Sequence, residues 1–125
     1  MRRRPDPSDP ASLLPLRPLD FAILVALSQG EQYGYGLTKA VAEQGFGAIR
    51  LAPGNLYQVL DRLIGWRLVV EADRRSRPER PAERRRYYAI TDFGRAVAVR
   101  EAERLAAMAD NIAALTTNPP RSENR

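Results

Sequence analysis

The chain has 125 residues, 44% of them apolar, with ten prolines, no cysteine, no histidine and a net charge of +5. That length predicts one domain, and the two missing residue types exclude a disulfide framework, thiolate or imidazole zinc sites and the commonest nucleophiles and general bases. The longest apolar run, seven residues from Phe21 to Leu27, is far short of the roughly 20 that cross a bilayer.

Residues 1–17 carry Pro5, Pro7, Pro10 and Pro15 together with Arg2, Arg3, Arg4 and Arg17. They read as a disordered basic arm, the alternative being an arm that lies along DNA or on a partner subunit. The basic start lacks the apolar stretch of a secretion signal, so the expectation is a cytoplasmic protein that avoids membranes. Asp20 is placed to cap a first helix built on Phe21, Ile23, Leu24 and Leu27, ending near Ser28-Gln29-Gly30. A second helix is expected from Tyr35-Gly36 through Leu37, Ala40 and Val41, with Gly45 closing it in the left-handed conformation. Ala48 to Leu51 reads as short and extended. Pro53 suits the first position of a third helix, where a missing N–H costs nothing. That helix places Leu56, Val59, Leu60, Leu63 and Ile64 on one apolar stripe of 3.6-residue period.

Leu68-Val69-Val70 and Tyr87-Tyr88-Ala89-Ile90 read as two paired strands. Between them lie seven arginines in thirteen residues: Arg74, Arg75, Arg77, Arg80, Arg84, Arg85 and Arg86, opposed by Glu79 and Glu83. This loop accounts for the whole net charge of the chain. Concentrated positive charge beside a compact domain suits a polyanion, because neutralising phosphates releases counterions. Nineteen of the twenty basic residues are arginine, which fits phosphate recognition by a planar fork and fits equally a genome rich in G and C; the clustering is the firmer signal. Thr91-Asp92 offers an N-cap for a last helix carrying Val97, Ala98, Leu105, Met108, Ile112 and Leu115, stopped by Pro119-Pro120.

The order is helix, helix, short strand, helix, strand, basic loop, strand, long helix. It predicts a mostly α (α+β) fold: a winged helix-turn-helix with a long C-terminal dimerisation helix. The expected divisions are the arm at 1–17, the winged domain at 18–91, the dimerisation helix at 92–116 and a disordered tail at 117–125.

Several segments, in order, resemble the PadR-like transcriptional regulators. Tyr33-Gly34-Tyr35-Gly36-Leu37 is similar to the start of that family's second helix. Leu51-Ala52-Pro53-Gly54-Asn55-Leu56-Tyr57, continued by Leu60-Asp61-Arg62-Leu63, is similar to its recognition helix. Arg84 through Arg95 is similar to its wing return and the entry to its dimerisation helix. Asn55 stands where the family commonly has Thr, and Gly65-Trp66-Arg67 replaces its usual Glu-x-Gly. The single C-terminal helix resembles the family's short branch. The resemblance implies a homodimeric repressor that binds a palindromic operator and is released by a small-molecule effector.

With the apolar stripe of the third helix inward, Asn55, Gln58 and Arg62 fall on the opposite face. Asn and Gln match adenine edges and Arg matches guanine, so these are the expected base readers; the plain alternative is solvated positions, with Arg62 paired to Asp61 or Glu71. Tyr57 either bonds a phosphate or packs under the wing. Tyr35 and Lys39 are placed to touch backbone above the groove, and Pro53 and Gly54 set the entry of the third helix and so place its backbone N–H groups toward phosphate. Arg84, Arg85 and Arg86, nearest the rigid strand, are favoured as wing contacts. Leu105, Met108, Ile112 and Leu115 keep a 3-4-3 spacing suited to a second helix, with Val97 on the same stripe. Family resemblance adds Phe21 and Leu24 to that interface. Trp66 reads first as a core or interface ring and second as a stacking contact for an aromatic effector.

The rival reading is a winged-helix interaction module that holds an acidic protein or RNA through its arginine loop. An enzyme is disfavoured: no phosphate loop or carboxylate cluster accompanies the missing histidine and cysteine. No metal or cofactor is expected. The expected partners are double-stranded DNA, a second copy of the chain and an effector.

Overall fold

The computed structural model describes residues 6, 8–45, 47–52, 54–72 and 86–117. Pro10–Leu13 forms one 3-10 turn; then come α1 (Pro18–Leu27), β1 (Gln32–Tyr33), α2 (Gly34–Gln44), α3 (Leu56–Gly65), β2 (Val69–Ala72), β3 (Tyr87–Ile90) and α4 (Asp92–Thr117). The strands form an antiparallel sheet in the order β1-β3-β2, with Val69 opposite Ile90, Ala72 opposite Tyr87, and Tyr33 also opposite Tyr87. Three helices with a hairpin after the third are the winged helix-turn-helix expected from the order of elements.

The core is made by the inward stripes. Ile23, Leu24 and Leu27 of α1, Leu37 and Val41 of α2, and Leu56, Val59, Leu60 and Leu63 of α3 are all buried. Leu68, Val69, Tyr88 and Ile90 close it from the sheet side, and Val97 from α4. Each such aliphatic side chain contributes about 1.5–3 kcal/mol when fully removed from water. The start of α4 is capped as its sequence foretells: the Gly94 N–H donates to Thr91 Oγ1 at 2.8 Å.

Several expectations need correction. Asp20 does not cap α1. The helix begins two residues earlier, at Pro18, and Asp20 sits in its first turn, fully buried. Gly45 closes α2 at φ −93°, outside the left-handed region. Residues 48–51 form no strand; the third strand is Gln32–Tyr33, which exists because β3 offers it a free edge. α3 begins at Leu56 with Asn55 as its N-cap residue, and Pro53 lies outside the described residues.

The segment 1–17 is not wholly an arm. Part of it packs on the domain: Leu16 is buried, Leu13 and Leu14 lie against the core, and the Leu16 N–H donates to Glu101 Oε2 of α4 at 2.9 Å. Arg104 grips the same carboxylate with Nε and Nη2. These bonds, Arg104's first, hold the Glu101 carboxyl below its ordinary range. Residues 1–5 and 118–125 lie outside the described residues.

Candidate nucleic-acid interface

α3 presents its N-terminal half outward. Tyr57 and Gln58 are exposed beside the buried stripe, and so is Asp61, which the sequence suggested only as an ion-pair partner for Arg62. An exposed carboxylate on this face can accept from cytosine N4. Asn55 is half-buried, and its Oδ1 is buried with no hydrogen-bond partner among the described residues. Gly54 is exposed and its surroundings are open.

α2 and α3 meet closely at Gly34. A Cβ there would lie 3.0 Å from Leu56 Cδ2 and 3.2 Å from the Tyr57 hydroxyl. The glycine therefore lets the Tyr57 ring rest over the start of α2. Tyr35 follows, 73% exposed, and Lys39 is exposed one turn on. Tyr33 stacks between Tyr35 and Tyr87, with ring centroids 6.4 and 5.9 Å away. Tyr87 is thus tied to β1 and Tyr88 to the core, as opposite faces of one strand require.

The wing starts at Arg86, which is exposed and lies 3.7 Å from the Glu71 carboxylate across the hairpin. A hydrogen bond with the Tyr88 side chain, and then the Glu71 charge, push the Arg86 pKa further up. Burial raises that of Tyr88 against the opposing hydrogen bond from Arg86. Tyr57 is the weakest of the influences on both groups. Arg74, Arg75, Arg77, Arg80, Arg84 and Arg85 lie outside the described residues.

Arg62 corrects its expectation. It pairs with neither Asp61 nor Glu71 but with Asp20, 42 positions earlier, through Nη2. Its side chain is 28% exposed and that of Asp20 1%. The guanidinium also lies over the Trp66 ring, 5.7 Å from the centroid, and its Nε is buried without a partner. Burial raises the Asp20 pKa, with Arg62 opposing. Trp66 is half-buried and caps the C-terminal end of α3.

Three other expected interface residues are withdrawn, wholly or in part, into the fold. Leu24 and Val97 are completely buried in the domain's own core, and Phe21 is half-buried against it. The free apolar surface lies further along α4. Residues 106–116 are exposed on every face, and Met108, Ile112 and Leu115 are 53, 65 and 47% exposed; Leu105 is half-buried. The end of α4 therefore projects from its domain with its apolar row uncovered.

A family model for the PadR-like transcriptional regulators matches residues 23–100, which span α1 to the first part of α4. The chain belongs to the PadR-like family. Among solved structures, a PadR-like regulator from Bacillus cereus is 26% identical, with a TM-score of 0.65 over 78% of this chain and 90% of that one. A PadR-family regulator from Eggerthella lenta is also 26% identical, with a TM-score of 0.57 over 77% and 81% of the two chains. A transcriptional regulator from Clostridium thermocellum, 23% identical with a TM-score of 0.60 over 76% and 86%, shares the fold. No curated protein is detectably similar in sequence. As a PadR-like protein the chain is a DNA-binding regulator of transcription and not an enzyme. Among the described residues no helix is long and apolar enough to cross a membrane.

Proposed function

We propose that this PadR-like protein is a homodimeric repressor that binds a palindromic operator and leaves it when a small-molecule effector binds. Gln58 reads base edges, and Asn55 joins it by turning its buried Oδ1 outward to the adenine edge. Tyr35, Lys39, Pro53, Gly54 and Tyr57 hold the backbone beside them, and Arg84, Arg85 and Arg86 hold the flanking phosphates. Phosphate contacts fix register, and base contacts carry the sequence information. The supporting observation is the exposure of Tyr57 and Gln58 on α3, opposite its buried apolar stripe, together with the exposed Arg86 at the root of the wing. Dimerisation through Leu105, Met108, Ile112 and Leu115 rests on the uncovered end of α4. Trp66 is the assigned effector contact, its ring half-buried beneath Arg62. Localisation in the cytoplasm follows from a DNA target.

The test is selection of bound DNA from a random pool at low and at moderate salt. An inverted repeat that persists at moderate salt supports the reading. Binding with no sequence preference that disappears with salt would reduce the wing to a general polyanion patch and favour the interaction-module alternative.

A further inference from the structure

We propose that Arg62 is a positioning residue: with Asp20 and Trp66 it locks the recognition helix α3 to α1 and so fixes how Asn55 and Gln58 meet the bases. The inference rests on the reading of α3 as the base-reading helix.

Three observations carry it. First, the fork of Arg62 is already used. Nη2 is bonded to Asp20 and Nε is buried, so the Nε–Nη2 edge is closed to the paired contact that guanine O6 and N7 require. Second, the partner is unusual. Asp20 is fully buried in α1, away from any surface that could meet DNA, and its second oxygen, Oδ2, has no partner among the described residues. A half-satisfied buried pair is a poor source of stability; its role in the proposal is to select one arrangement of α3 against α1. Third, the tie has a third member. Trp66, at the end of α3, supports the Arg62 guanidinium from the side opposite the entry of the helix. The C-terminal half of α3 is thereby held by charge and ring, while its N-terminal half carries Asn55 and Gln58. A small rotation of α3 about its axis would move both readers off their base edges, because a misplacement of about 1 Å breaks a bidentate contact.

The test uses the full chain, the operator recovered by selection, its single-base-pair variants and a scrambled duplex. Asp20→Asn keeps the shape and removes the charge; Arg62→Lys keeps the charge and removes the fork. Both should lose about tenfold or more in affinity for the operator at the base pairs read by Asn55 and Gln58. Affinity for the scrambled duplex and the salt slope should stay at wild-type values, which general unfolding would not allow. The proposal is overturned if Asp20→Asn discriminates like wild type. It is also overturned if Arg62→Lys relaxes one base pair that Asp20→Asn leaves intact, the mark of direct readout. Should Asp20→Asn melt below the assay temperature, Arg62→Lys alone decides, by the base pairs it relaxes. A wild-type protein that selects no sequence would instead overturn the functional reading beneath the proposal.

Discussion

The carbonyl of Leu68 occupies the space where a side chain at Gly94 would begin. An added Cβ would also meet Leu68 C at 3.0 Å and Ile90 Cγ1 at 2.9 Å. The same carbonyl accepts the Thr91 N–H at 3.0 Å, and Thr91 Oγ1 donates to Arg67 O at 2.6 Å. The entry of α4 is thus pinned to the chain that leads into β2. Backbone cannot yield as a side chain can. Gly94→Ala should cost about 3 kcal/mol. Gly65, with nothing near its Cβ position, is the control: Gly65→Ala in the same helix-rich fold should stabilise by about 0.5 kcal/mol. Chemical denaturation of the two variants checks the contrast, and equal midpoints would contradict it.

Arg67 adopts φ +64°, where the family usually has glycine. Its N–H bonds Ile64 O, and the next N–H, of Leu68, bonds Leu63 O, the two bonds that end a helix through a left-handed residue. A side chain there is strained by about 1–2 kcal/mol, partly offset by the greater freedom of unfolded glycine. Arg67→Gly should therefore raise stability by about 0.5–1 kcal/mol. A lower thermal midpoint for the variant would refute this account of the turn.

Glu101 couples the N-terminal segment to pH. Its folded pKa lies below the ordinary 4.5, so ionised Glu101 stabilises the fold above about that pH, and the contribution is lost as pH falls through the folded value. Asp20 has the opposite sign: its pKa is raised, so protonation relieves the fold as pH falls through its folded value. Comparing wild type with Glu101→Gln isolates the first effect. The difference should be about 1.5–3 kcal/mol at neutral pH and shrink steadily below pH 4.5. A difference independent of pH between 7 and 3 would show that the Leu16–Glu101–Arg104 cluster contributes no charge effect.

Ile112 is 65% exposed, on a stretch of α4 whose residues 106–116 are all exposed. Ile112→Asp places charge in the centre of the proposed helix–helix seam without disturbing the core. The variant should sediment as a monomer at concentrations where the wild type is a dimer, with an unchanged helical spectrum. Identical sedimentation of the two would remove this row from the interface.

What the sequence disclosed follows from locality. The α3 stripe and the Thr91 cap are set by residues within a turn or two and appear where the pattern put them; the two strands flanking the basic loop pair as expected, with β2 shifted from Leu68–Val70 to Val69–Ala72. The errors have a common physical origin in distant partners. Asp20 looks like a cap because capping is local; its true partner, Arg62, is 42 positions away. Leu16 looks like part of a proline-rich arm because its acceptor, Glu101, is 85 positions away. Leu24 and Val97 lie on stripes that could face either the core or a second chain, and periodicity alone does not choose between them. Gln32–Tyr33 has no strand signature of its own; the edge of β3 makes it a strand. Gln58 and Tyr57 were legible because the buried stripe leaves them no other direction. Arg62 lies at the margin of that stripe, where a long side chain can turn inward.

The most direct test of the account is a hydroxyl-radical footprint on the selected duplex. Two α3 helices related by a two-fold axis should protect two windows on one face of the DNA, about 34 Å or a multiple of it apart, and Ile112→Asp should lose both together. A single protected window, or two that persist when the chain is monomeric, would contradict recognition by a dimer.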